Sequence, residues 1–208
     1  MRLGLFGGTF DPVHYGHLLL AESCREACRL DAVWFIPAAQ PPHKQQRPLT
    51  PARQRIEMLE LATGGNESFV VSPVEVERGG VSYTVDTLAA LRAEQPEREL
   101  AFLLGSDMLD DLPHWREPGQ ICELALPVVV RRGAGEPDFN CLEPFVSPAR
   151  LAEIRRAYVP MPRIELSSRE IRRRAAAGLS IRYQTPRAVE KYIETNRLYF
   201  TQPVTVET

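Results

Sequence analysis

Short apolar runs recur along the chain, each closed by glycine, proline or a polar turn. Leu3, Leu5 and Phe6 form the first run and end at Gly7-Gly8, and Leu18-Leu19-Leu20-Ala21 follow shortly after. That order predicts strand, glycine turn and helix. Ala32 to Ile36 is a second run, closed by Pro37, and strand, helix and strand at this spacing make a βαβ unit with parallel pairing. The stretch from Pro37 to Pro48 is too polar and proline-rich for an element, so it predicts a loop at a strand's carboxyl end. Ligands of open α/β sheets bind at such ends.

Thr50-Pro51 has the order of an N-cap followed by an N1 proline, and Ile56, Met58, Leu59, Leu61 and Ala62 continue as an amphipathic helix stopped by Gly64-Gly65. Phe69-Val70-Val71 predicts a third strand. Val74 and Val76 alternate as in a further strand turning at Gly79-Gly80, and Ser82 to Leu88 opens a helix with hydroxyls and Asp86 in its first turn. Leu100 to Leu104 is a continuous apolar strand running into Gly105-Ser106-Asp107, and Leu124 to Val130 is another such run. Ala134 to Phe145 is the least patterned part and predicts a surface excursion. Ser147-Pro148 starts a helix to about Ala157. Met161 to Leu166 is a short strand or an extended entry into a helix from Ser167 to Gly178, and Thr185-Pro186 starts the last helix. The order predicts an α/β fold: a doubly wound, Rossmann-like parallel sheet with a helical carboxyl-terminal part. It is read as a single domain over residues 1–208, with the helical subregion at about 148–200.

Composition changes this picture little. The chain has 208 residues, 44% hydrophobic and 25% charged, enough to bury a core. A formal net charge of −2 gives no global reason for a nucleic-acid or membrane-surface partner, so any anion site has to be local. The amino terminus runs straight into the first strand without a signal-type leader, and no stretch approaches a membrane span, which predicts a cytoplasmic protein. Cys24, Cys28, Cys122 and Cys141 show no CxxC spacing and are expected as reduced thiols; the first two, one helical turn apart, are expected to pack rather than to clip a metal.

The candidate chemistry lies in two places. In Gly7-Gly8-Thr9-Phe10-Asp11-Pro12-Val13-His14-Tyr15-Gly16-His17, adjacent glycines let backbone amides approach an anion, and the helix beyond adds free N–H groups and its dipole. His14 and His17, three apart with Gly16 between, are expected on one side of the first turn, with room for a ligand. A tight βα turn with one surface and one packed histidine is the plainer alternative, and a zinc pair finds no further ligands at suitable spacing. The second place is Ser167-Ser168-Arg169-Glu170-Ile171-Arg172. Ser167 with Glu170 reads as a capping box, and the serine hydroxyls with Arg172 one turn on read as a second anion cradle.

The eleven-residue string resembles the HxGH signature of the nucleotidyltransferase superfamily, in the form typical of bacterial nicotinate-nucleotide adenylyltransferases. The second string resembles the superfamily's ISSxxxR motif, with Leu166 in place of the usual Ile. The resemblance spans Leu3 to about Arg197. It implies AMP transfer from ATP to nicotinate mononucleotide, giving nicotinate adenine dinucleotide and pyrophosphate, with Mg²⁺ held mainly by phosphate and water oxygens rather than by protein ligands.

It further implies His14, His17 and Arg172 as catalytic residues, and Gly7, Gly8, Thr9, Phe10, Lys44, Ser167 and Ser168 with them at ATP. Tyr83, Thr84, Asp107 and Trp115 are expected at the mononucleotide, with Trp115 stacking on its ring. Backbone N–H groups near Tyr83-Thr84 and before Trp115 are expected to hold the pyridine carboxylate. The alternatives are adenylyl or cytidylyl transfer to another phosphate acceptor, such as phosphopantetheine, and a nucleotide-binding sensor without turnover. Partners are expected to be these small molecules, with neither nucleic acid nor membrane.

Overall fold

A computed structural model describes residues 1–42, 49–131, 137–162 and 164–200. Among the described residues five parallel strands, β1 (Arg2–Gly8), β2 (Ala32–Pro37), β3 (Phe69–Val71), β4 (Glu99–Gly105) and β5 (Leu126–Val130), form one sheet in the order β3-β2-β1-β4-β5. Leu3 faces Ala32 on one side and Leu100 on the other, which sets the register of the central pairs. The chain winds outward from β1 in both directions, so a crevice opens where the carboxyl ends of β1 and β4 diverge.

The strands are apolar on both faces because both are covered. Leu103, Val33 and Phe35 meet α1 (Tyr15–Ala27), α2 (Ala52–Thr63), α8 (Ser168–Ala176) and α9 (Arg187–Thr195) in one core, through residues such as Leu20, Met58, Ile171 and Ile193. Leu3, Leu5, Phe102 and Leu104 meet α4 (Thr84–Glu94), α6 (Pro118–Leu124) and α7 (Pro148–Arg156) in the other. Alternate residues of β1 and β4 serve opposite cores, as the period of two requires. Cys24 and Cys122 are buried in these cores, and all four cysteines are free. Burial pushes the Cys122 thiol up to about 11. Among the described residues no helix is long and apolar enough to cross a membrane.

Several local expectations need correction. Val74–Arg78 is a short helix, α3, rather than a strand, with Glu75 buried on its inner side. Residues 139–145 are not a mere excursion: Phe139–Leu142 forms a 3-10 turn and Leu142 is fully buried. Thr50-Pro51 are not N-cap and N1: Pro51 is the N-cap of α2, which begins at Ala52, and no side-chain bond caps that end. Thr185, before the last helix, donates its hydroxyl to the Val13 carbonyl at 2.7 Å, 172 positions away. Ser167 caps α8 by accepting the Glu170 N–H at 3.2 Å, but the Glu170 carboxylate turns to Arg173 instead of closing the box. α5 (Ser106–Leu109), directly after β4, completes the helical elements used below.

Candidate active site

The two glycines stand at the crevice as the last residues of β1, paired with Ile36 and Pro37 of β2, rather than in a turn beyond the strand. An added Cβ on Gly7 would meet nothing within 4 Å, so the space above it is open to an incoming group. Gly8 is there for a packing reason, since a Cβ would come 3.0 Å from the Phe10 ring. Phe10 itself takes the left-handed conformation, φ 46°, which costs a bulky residue energy and is held only by its surroundings. Its ring is 1% exposed and packs edge-on against Phe6 at 5.3 Å and His17 at 5.1 Å.

His14 is the N-cap of α1 and His17 is its N3 residue. The two rings stack, with centroids 3.7 Å apart and planes at 20°. His14 N–H donates to His17 Nδ1 at 3.2 Å, an imidazole in the position that a capping box gives to glutamate. An accepting Nδ1 leaves Nε2 as the nitrogen carrying the proton in the neutral ring, so His17 presents a donor. Gly16 permits the stack: its Cβ would fall 3.0 Å from His14 Nδ1 and 3.7 Å from Leu166 Cβ. The pair opens on a small cleft shared with Leu20, Arg131, Met161 and Leu166.

The second motif lies against the first. Ser168 Oγ donates to the Pro12 carbonyl at 2.9 Å, and Arg172 donates to the Asp11 carbonyl. The Arg172 guanidinium also lies 3.9 Å from the Asp11 carboxylate, with both side chains largely buried. Tyr199, beyond α9, donates its hydroxyl to the same carboxylate at 2.7 Å. Burial, then the Asp11 charge, pushes the Tyr199 hydroxyl well above the usual phenol range and keeps it a donor. The expected imidazoles, serines and guanidinium are thus brought to one place. Part of Arg172's capacity goes to the Asp11-Pro12 turn itself, which the sequence did not foretell.

The other expected residues gather on the β4 side. Tyr83 is the N-cap of α4, and the Arg116 guanidinium lies 4.9 Å over its ring while pairing with Asp86 at 3.2 Å. Trp115 is half-buried, edge-on to Phe102 at 5.9 Å. Asp107 is exposed at the start of α5. Of the backbone donors expected for a carboxylate, Tyr83 N–H already serves Val81 and Trp115 N–H serves Leu112. The first-turn amides of α4, from Thr84 onward, are the donors that geometry leaves for a ligand. Lys44 lies outside the described residues.

A buried network props up this wall. Thr87 donates to Glu75 at 2.7 Å, Arg78 donates to Thr87 at 2.9 Å, and Ser82 Oγ accepts the Ala39 N–H at 2.9 Å, tying the loop after β2 to the start of α4. Desolvation raises the Glu75 carboxyl pKa, against the opposing pull of Thr87, Ser82 and Arg78. A carboxyl raised on folding contributes stability that is complete below the ordinary glutamate range and is lost as pH rises through the folded value. Glu75→Gln removes that loss, so its thermal midpoint is expected to gain on wild type between about pH 4 and pH 7. Parallel melting curves across that range check it.

Two residues were missed. Arg131, just past β5, lines the imidazole cleft; a cation directly after a buried strand was the available signal. Arg55 is 1% exposed and donates to Thr9, Ala38 and Thr50 carbonyls. Its signal was a charge sharing the spacing of Met58 and Leu59 on an apolar helix face. Among the described residues no cluster of three or more His, Cys, Asp or Glu side chains is placed to hold a metal ion.

Residues 5–174 match the family described as cytidylyltransferase-like. The chain is 50% identical to the probable nicotinate-nucleotide adenylyltransferase of Thermomicrobium roseum, over 96% of this chain and 92% of that one. It is 45% identical to the corresponding probable enzyme of Thermus thermophilus, over 96% and 100%. Among solved structures, Plasmodium falciparum nicotinic acid mononucleotide adenylyltransferase complexed with NaAD has a TM-score of 0.76 at 19% identity, covering 95% of this chain and 97% of that one, a likeness of fold.

Proposed function

The chain belongs to the nicotinate-nucleotide adenylyltransferases of the cytidylyltransferase-like family, and from that premise we propose which of its residues carry the reaction. The reaction transfers AMP from ATP to nicotinate mononucleotide and releases pyrophosphate. An acceptor phosphate oxygen forms a bond to the α-phosphorus while the bond from that phosphorus to the bridging oxygen breaks. The acceptor oxygen is already anionic near neutral pH, so the protein needs no general base. Its work is to align two anions that repel each other and to stabilise charge growing on the leaving group.

His17 and His14 are assigned to the phosphates around the reacting centre, and Gly7, Gly8, Thr9 and Phe10 to the backbone cradle. Ser167, Ser168 and Arg172 take the outgoing β- and γ-phosphates, with Lys44 as a further ATP contact. Tyr83, Thr84, Asp107 and Trp115 receive the mononucleotide, and Trp115 offers a ring face to the pyridine. Mg²⁺ enters with the triphosphate as part of the substrate, held by phosphate and water oxygens. The observation that carries this reading is the direct contact of Ser168 and Arg172 with the Pro12 and Asp11 carbonyls, 156 and 161 positions away. One triphosphate can then span both motifs. A single catalytic unit over residues 1–208 and a cytoplasmic location belong to the same proposal, supported by α8 and α9 packing into the core of α1 and by four free thiols.

Pyrophosphate release with ATP and a panel of acceptors tests the assignment. Nicotinate mononucleotide is expected to be preferred to its amide, and equal efficiency on the two would remove the carboxylate site from the α4 wall. Gly16→Ala gives a structural check, because its Cβ would lie 3.0 Å from His14 Nδ1, so the buried His14 ring has to shift by a few tenths of an ångström. We expect a loss of about 1 kcal/mol in denaturant unfolding and about tenfold in turnover.

A further inference from the structure

We propose that Arg55 is a positioning residue for the transfer: from inside the protein it aims the peptide between Thr9 and Phe10 so that the Phe10 N–H faces the nucleotide. This rests on the reading above that ATP phosphates lie over Gly7 to Phe10.

Among the described residues Arg55 is the largest fully buried side chain, at 1% exposure. Its fork donates from Nη1 to the Thr9 carbonyl at 2.9 Å, from Nη2 to the Ala38 carbonyl at 2.8 Å and from Nε to the Thr50 carbonyl at 2.9 Å. Every partner is a neutral carbonyl, and among the described residues no carboxylate pairs with it within 4 Å. A buried cation without a paired anion is an expensive way to satisfy three carbonyls. Burial pulls its pKa down, and the charge of Asp11 is the first opposing influence.

What the fork achieves is directional. The Thr9–Phe10 peptide is trans, since the cis bond of this turn is Asp11-Pro12. In a planar trans peptide C=O and N–H point in opposite directions. With the carbonyl drawn inward onto Arg55, the Phe10 N–H points the opposite way, and three residues earlier the space over Gly7 is open. Phe10's left-handed φ of 46° is the backbone's consequence of holding the peptide that way. The same guanidinium fixes Ala38 and Thr50, the two flanks of the segment that contains Lys44 in sequence. A lysine cannot reproduce a planar fork of this reach.

The test compares wild type with Arg55→Lys. Calorimetry reads the Kd of a non-hydrolysable ATP analogue and of nicotinate mononucleotide, and amide NMR follows Phe10 N–H in wild type as the analogue is added. We expect Arg55→Lys to weaken the analogue about tenfold while mononucleotide binding stays within about twofold, a split that a mere loss of folded protein would not produce. The wild-type Phe10 amide is expected to shift and gain exchange protection with the analogue. A variant that melts cooperatively and binds the analogue as wild type does overturns the proposal, as does a Phe10 amide that the bound analogue leaves unmoved. Should Arg55→Lys fail to fold, the wild-type amide decides alone. Wild type that binds the analogue with the expected Phe10 shift, yet transfers AMP to a different acceptor, would sink the functional reading and leave Arg55 in place.

Discussion

Alanine at position 17 is expected to lower kcat by about 100- to 1000-fold, the usual loss for one donor aimed at charge developing in a transition state. The ring it removes is held on several sides: by the His14 stack at 3.7 Å, by Phe10 edge-on at 5.1 Å, and by the His14 N–H on Nδ1. Such restraint leaves the imidazole little freedom to reorient, and pre-organisation of that kind gives a donor its value. Stability falls much less, by about 1 kcal/mol for one lost hydrogen bond, so a cooperative melt should persist. Steady-state rates beside thermal unfolding check both halves, and turnover near that of wild type in a folded His17→Ala protein would end the assignment.

Removing Arg172 is expected to act on fold and reaction together. Its guanidinium donates to the Asp11 carbonyl and lies 3.9 Å from a carboxylate whose side chain is 4% exposed. Truncation takes the guanidinium donor from the Asp11 carbonyl and the nearby cation from its carboxylate, and we expect Arg172→Ala to lose about 2–4 kcal/mol. Tyr199 still holds Asp11 from the other side, so the turn should survive. In the folded fraction, loss of the cation at the outgoing phosphates should raise the KM for ATP about tenfold or more while the KM for the mononucleotide changes little. Denaturant titration and two-substrate kinetics separate the effects. An unchanged ATP KM would reduce Arg172 to a brace for Asp11.

Much of the architecture was legible because buried parallel strands announce themselves. Runs such as Leu100 to Leu104 are apolar at every position, since helices cover both faces of the sheet. The failures share one cause, a local pattern overridden by a distant partner. Val74 and Val76 alternate like a strand, but Glu75 between them is recruited inward by Thr87, and five residues close into a helix. Burying Arg55 makes sense only once the carbonyls of Thr9, Ala38 and Thr50 converge on it.

By itself the sequence determined the five strands, most of the helices between them, the parallel sheet and the two strings that the family resemblance assigns to phosphate. Those depend on periodicity and on residue chemistry, which act over a few positions. Only the tertiary structure decided that the Asp11-Pro12 turn is gripped by Arg172, Ser168 and Tyr199, and that Thr9 is gripped by Arg55. Contacts spanning 46 to 188 positions leave no trace in local pattern. They form because burial of the sheet's two faces draws those elements together and leaves their polar groups no partners but one another.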